Sequence, residues 1–224
     1  MNGTFHFGFA RAGVVMVAMI GLFACGSGST ADASGGARAG TAGPDASGAI
    51  TLALKFVEFS GKDGKPVISQ DQANQVVTQI NGLYAQCNLR VKLGEYVAVD
   101  PAKYSLDYSL SSMGAMDSMR APFDTDQELV IVNTGAWDHG SMGPANAWTA
   151  MPGQSPSGAV LEASVADNAN IVAHELGHYL NLDHVNDQAN LMNPVIYGDS
   201  THISASQCDE MRRTALAVRT MALR

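Results

Sequence analysis

His174, Glu175, His178 and His184 have the residue types and the spacing to hold a metal ion and to run a hydrolysis on it. On a helix His174 and His178 stand four apart, so both rings leave the same face and both can reach one ion at about 2.0–2.1 Å. Glu175 sits one position round from that face. It is badly placed to ligate the same ion but well placed to hydrogen-bond a water held on it, which makes two ligands and one base. A catalytic zinc takes a third protein ligand and keeps one position open. His184 is the candidate, but a continuous helix would carry it too far along the axis, so the chain must turn after His178. Asn181 suits that turn, because asparagine tolerates the left-handed conformation that ends helices. With 6 histidines in 224 residues, such a pattern arises by chance on the order of 10⁻⁴ times per chain. A glutamate as third ligand on a later helix would have to be Glu210, which His184 makes unnecessary. His139 and His202 read as surface or hydrogen-bonded side chains, although Asp138 with His139 could contribute to a second metal site.

The stretch "HELGHYLNLDH" (174–184), followed by "NLMNP", resembles the zinc signature and methionine turn of the metzincin metallopeptidases, the clan of astacins, serralysins, reprolysins and matrix metalloproteinases. The resemblance implies one zinc ion on His174, His178 and His184. It also implies an endopeptidase that cleaves peptide bonds by Glu175-assisted attack of a zinc-bound water, and a structural floor beneath the metal at Met192. Tyr197 follows the turn and would be either a group stabilising the tetrahedral intermediate, at a spacing unlike the clan's, or a wall of the pocket. The clan places an edge strand before the active helix, and "ANAWTAMPG" (145–153) stands about there. Two positions depart from the pattern: Asn181 replaces the usual glycine, and Val185, after the third histidine, matches none of the major subfamilies.

These groups need elements to position them. "ITLALKFVEF" (50–59) and "LRVKLGEYVAV" (89–99) read as strands, and "ELVIVN" (128–133) as a short buried one. "ANAWTA" (145–150) and "GAVLEAS" (158–164) are weaker strand candidates. Ala73, Val76, Val77, Ile80, Leu83 and Tyr84 recur at helical spacing within 69–87, with Ser69 or Asp71 near the N-cap. The motif helix starts at Asp167 or Asn168, and Ser204 and Gln207 have capping-box spacing at the start of a last helix. Residues 100–127 carry no periodic signal. The order implies an α+β, metzincin-like catalytic domain: a mixed, mostly parallel twisted sheet with two long helices and a C-terminal helix.

Residues 1–24 have the layout of a secretory signal, with Arg11 before the apolar run "VVMVAMIGLFA". Cys25 ends it in "LFAC", a lipobox-like context; the alternative is cleavage near Ala31–Ala33. Residues 25–49, rich in Gly, Ala and Ser, form a tether, and 50–224 form the catalytic domain. The protein is therefore expected outside the cytoplasm, as an envelope lipoprotein held to the membrane only through Cys25, or as a secreted monomer. In that oxidising setting Cys87 and Cys208 are expected to pair, the alternative being two buried thiols. The net charge of −8, with no Lys/Arg cluster, excludes nucleic acid as a partner and leaves a protein or peptide substrate. The reading from a different class is an envelope-tethered binding or adhesion module with a vestigial zinc site.

Overall fold

A computed structural model describes residues 48–125 and 127–221. The expected leader (1–24), Cys25 and nearly all of the tether (25–49) lie outside them. Strand β1 (Ile50–Phe59) and strand β2 (Leu89–Val99) pair in parallel, and helix α1 (Gln70–Tyr84) makes the crossover that a parallel pair requires. Ser69 caps α1: its N–H donates to Gln72 Oε1 at 2.9 Å while its own Oγ accepts from the Gln72 N–H at 3.3 Å. Ala73, Val76, Val77, Ile80 and Tyr84 are the buried stripe by which α1 lies on the sheet.

Within 100–127, silent to periodicity, residues 101–123 hold short helical turns around α2 (Met116–Arg120). Their Leu110, Met116, Met119 and Phe123 cover the sheet face opposite α1, against Val57, Phe59, Val130, Val132 and Val160. Among them lies Arg120, 1% exposed. It donates to the carbonyls of Met116, Pro156 and Gly158 and stands 4.5 Å from the Trp148 ring centroid.

The chain continues through β3 (Leu129–Thr134), α3 (His139–Met142), β4 (Ala147–Thr149), β5 (Ala159–Glu162), α4 (Ala169–Tyr179) and α5 (Ala205–Met221). Sheet order is β2-β1-β3-β5-β4; β1, β2, β3 and β5 run parallel, and β4 runs antiparallel to β5 at the edge. This is the mixed, mostly parallel sheet expected from the sequence. The weak strand candidates are real but shorter than the sequence suggests, because ladder pairing ends at Ala147 and Thr149 in one and at Ala159 and Glu162 in the other. β3 is buried at every position, as a central strand must be. α1 and α4 share one face, with Ile171, Val172 and Leu176 of α4 in the same apolar cluster as Ile50, Leu54 and Phe56.

Cys87, just past α1, is disulfide-bonded to Cys208 in α5, with Cα atoms 4.8 Å apart. Arg212 strengthens that junction by donating to the carbonyls of Cys87, Asn88 and Gly48. At the far end of β1 the Glu58 carboxylate is fully buried. It accepts from Asn133 Nδ2 at 2.7 Å and from the Ile68 N–H at 3.1 Å. Burial outweighs both bonds and pushes the Glu58 carboxyl up to about 8.

Two outcomes follow for stability. Replacing Cys87 and Cys208 by Ala opens a loop whose ends are 121 residues apart in sequence, so urea denaturation should show a loss on the order of 4–5 kcal/mol. Metal content should stay unchanged, since neither residue touches the histidines; an unaltered urea midpoint would show that the bond adds nothing. For Glu58, the folded state holds a proton that the unfolded chain releases between its ordinary value of 4.5 and about 8. Stability should therefore fall as pH rises through that window, by at most ~1.4 kcal/mol per pH unit. In Glu58→Gln the difference between urea midpoints at pH 5 and pH 8 should shrink; an unchanged difference would mean that Glu58 is ionised in the fold.

Candidate metal centre

Helix α4 begins where Asn168 Oδ1 accepts from the N–H groups of Asn170 and Ile171, at 3.1 and 3.3 Å. It ends in a Schellman turn: the Leu182 N–H reaches the Gly177 carbonyl at 3.0 Å and the Asn181 N–H reaches that of His178 at 2.9 Å. Asn181 is the left-handed residue of that turn, at φ 69°. Its side chain donates to Glu210 Oε1 at 2.6 Å, which anchors the turn to α5. Beyond it the chain doubles back and returns His184 to the helix.

The Nε2 atoms of His174, His178 and His184 lie 3.1 Å from one another. The other ring nitrogens explain how. His174 Nδ1 is 2.7 Å from the Leu191 carbonyl and His178 Nδ1 is 2.7 Å from that of Leu182. A carbonyl can only accept, so each Nδ1 carries the hydrogen and each Nε2 keeps its unshared pair. Burial, together with the neighbouring His178 ring, depresses His174 well below its ordinary range. Burial brings His178 down to about 4, and burial with His178 beside it brings His184 to about 4. The three rings are therefore neutral ligands near neutral pH. Tetrahedral ligands at about 2.0–2.1 Å from zinc stand about 3.3–3.4 Å apart, so the 3.1 Å triangle fits one such ion with a small adjustment. Among the described residues this is the cluster of metal-ligating side chains with that geometry.

A further layer holds the ligands. The Leu191 carbonyl that takes His174 belongs to a segment pinned by the Leu191 N–H to the His202 carbonyl, at 2.8 Å. Met192 follows, fully buried, with its carbonyl accepting from the Val185 N–H at 3.0 Å. Its Sδ lies 2.5 Å from where a Cβ on Gly177 would stand, so glycine there makes room for the Met192 side chain against α4. Asn190 accepts from the Met192 N–H at 2.9 Å and donates to Gln207 Oε1 at 2.9 Å. Gln207 also closes the capping box of α5 with Ser204.

Glu175, 2% exposed, faces β4, where the Thr149 hydroxyl donates to its Oε2. Burial raises the Glu175 carboxyl to about 7 and the Thr149 bond opposes the rise. The Glu162 N–H bonds the Asn146 carbonyl at 2.9 Å and the Ala150 N–H bonds that of Gly158 at 3.1 Å. Hydrogen-bonded pairs alternate along an antiparallel ladder. Trp148 therefore faces β5, while the backbone groups of Ala147 and Thr149 turn outward. No described strand pairs with that outer edge.

The profile of the matrixin family matches residues 89–216, more than half of the chain. The chain belongs to the matrixin family. Sequence reading reached the wider metzincin clan but no subfamily, because Val185 gave no marker. Among solved structures, the matrixin described here is similar to metalloproteinase-II from Bacteroides fragilis, at 18% identity and a TM-score of 0.50 over 74% of this chain and 53% of that one. It thus spans about half the length of that protein. Archaemetzincin from Methanopyrus kandleri is also similar, at 17% identity and a TM-score of 0.42 over 77% of this chain and 96% of that one. No curated protein sequence matches.

In this matrixin the sequence-designated His174, His178 and His184 converge, Glu175 follows His174 on α4 and bonds Thr149, and Met192 packs against Gly177 of the same helix. Tyr197 lies half-buried in the following loop, its N–H on Ser200 Oγ at 3.0 Å. His139 stands apart, between the Gly143 carbonyl at 3.0 Å and Glu162 at 3.3 Å, and His202 serves through its backbone. Sequence reading missed Thr149, Gly177 and the Asn190–Gln207 clamp. The glycine of "HELGH", Gly177, is the one signal that could have found any of them, as a mid-helix glycine. His184→Ala leaves two ligands of three, so metal analysis after dialysis should show retention well below that of the wild type; full retention would remove His184 from the site.

Proposed function

We propose that the protein is a zinc-dependent endopeptidase. The observation that carries this reading is the convergence of three neutral histidine rings at their Nε2 atoms, on a helix whose buried Glu175 bonds β4 at the edge of the described sheet. His174, His178 and His184 would hold the ion. Zinc bound there would polarise a carbonyl and lower the pKa of water towards ~7.

The chain's own groups supply the rest. The outward N–H and C=O groups of Ala147 and Thr149 can take an extended peptide as an added strand, which aligns its backbone past Glu175. Strand addition reads backbone and needs no chain end, which favours cleavage within a chain. Glu175 accepts one proton from the attacking water and passes it to the leaving nitrogen as the C–O bond forms and the C–N bond breaks. The products are a new carboxyl and a new amine terminus. Export remains part of this reading. The Cys87–Cys208 disulfide supports an oxidising compartment, in which lipidation at Cys25 would fix the domain to a membrane and cleavage farther on would release it. A binding module with a vestigial site is disfavoured by Glu175, which such a module would not need.

The zinc-loaded protein should cleave casein or gelatin and lose the activity to a chelator. Glu175→Gln should keep the metal and fold while hydrolysis falls by roughly 10²- to 10⁴-fold. Cleavage by this variant at the wild-type rate would remove Glu175 as the base, and an inert wild-type protein would favour the binding module.

A further inference from the structure

We infer that Thr149 is a positioning residue that couples the substrate-aligning edge to Glu175. The inference rests on the peptidase reading above and adds to it a residue that the signature does not contain.

Thr149 is the last residue of β4, and its side chain and backbone point in different directions. Side chains alternate across a strand, so Thr149 shares a face with Ala147, the face that meets α4. There, 4% exposed, its hydroxyl donates to Glu175 Oε2. Its own N–H and C=O lie on the outer edge, where an added peptide strand would bond. One residue thus touches both the base and the place of the substrate backbone.

The hydroxyl does for the carboxylate what an ordered partner does for any base. It takes up one oxygen, Oε2, and leaves Oε1 to receive the proton. It fixes the carboxylate plane in a site where no solvent would otherwise hold it, since Glu175 is itself 2% exposed. The strand that carries Thr149 is fixed in turn. On the opposite face Arg120 packs 4.5 Å from the Trp148 ring centroid and bonds the Pro156 and Gly158 carbonyls of the β4–β5 connection. A peptide seated on β4 therefore meets a base whose orientation is tied to the same strand.

The test compares Thr149→Val, which keeps volume and branching but has no hydroxyl, with Thr149→Ser, which keeps the hydroxyl. In zinc-loaded protein the Val variant should lose about 10- to 100-fold in kcat with KM within about twofold, as expected when a reacting group is misplaced. The Ser variant should restore most of the loss, and both should keep wild-type metal content. A readout independent of turnover is the crystal structure of each variant, in which Glu175 should leave its wild-type orientation in Val and keep it in Ser. Wild-type kcat in Val, equal losses in Val and Ser, or an unmoved Glu175 in Val would overturn the role of Thr149 while leaving the peptidase intact. A wild-type protein that binds zinc and cleaves nothing would overturn the peptidase reading and this one with it.

Discussion

Three neutral imidazole rings with their Nε2 atoms aimed into one small volume form a ligand set that a cation between them would stabilise. His174, His178 and His184 are held in that arrangement at 3.1 Å by the protein itself. The means are backbone carbonyls: Leu191 and Leu182 each fix a ring by its Nδ1 hydrogen and so decide which nitrogen faces inward. Those carbonyls come from the two segments that follow α4, so the ligand geometry is only as good as the path of the chain after the helix. That path runs through the left-handed Asn181, the return of His184, the buried Met192 and the Asn190–Gln207 clamp. It ends on α5, which the Cys87–Cys208 bond and Arg212 tie to the start of the sheet. The last helix carries no ligand, yet it is the support on which the methionine turn rests.

The other half of the site is set by the sheet. β5 lies beside β3, which is buried on both faces, and the chain leaves β5 for α4 within a few residues. α4 is held against that face by Ile171, Val172 and Leu176, and from α1 by the Tyr84 hydroxyl, which donates to the Ala173 carbonyl at 2.7 Å. The antiparallel β4 then brings an edge with no partner among the described strands alongside the helix. A parallel strand in that place would need a long crossover across the site, whereas β4 joins β5 through a short connection. Arg120 satisfies two carbonyls of that connection from inside the opposite core.

Local rules made much of this legible. β1, β2 and the helix capped by Ser69 stand where alternation, three-to-four spacing and the capping pair place them. The turn at Asn181 follows from residue type and from the need to bring His184 back. What stayed hidden depends on contacts between distant segments. Arg120 occurs in a stretch without period, and nothing local tells a buried cation from a solvated one. The Thr149–Glu175 bond joins positions 26 apart. The His202 carbonyl acts through backbone, and so has no residue-type signature at all. Val185 contributes its N–H to the Met192 carbonyl, a bond any residue but proline could make, while its side chain packs on the core.

Gly177 shows how tightly the two halves are joined. Glycine inside a helix costs about 0.5–1 kcal/mol relative to alanine, and Gly177 sits in α4 between the ligands His174 and His178. The methionine turn explains it. With Met192 Sδ 2.5 Å from the position of a missing Cβ, any larger residue must shift the buried Met192 side chain. That side chain belongs to the segment in which the Leu191 carbonyl holds the His174 ring and the Met192 carbonyl receives the Val185 N–H next to His184. A methyl group at Gly177 would therefore be felt first by the Met192 side chain. Its absence leaves room for that buried methionine against α4, in the turn between the ligands His174 and His178.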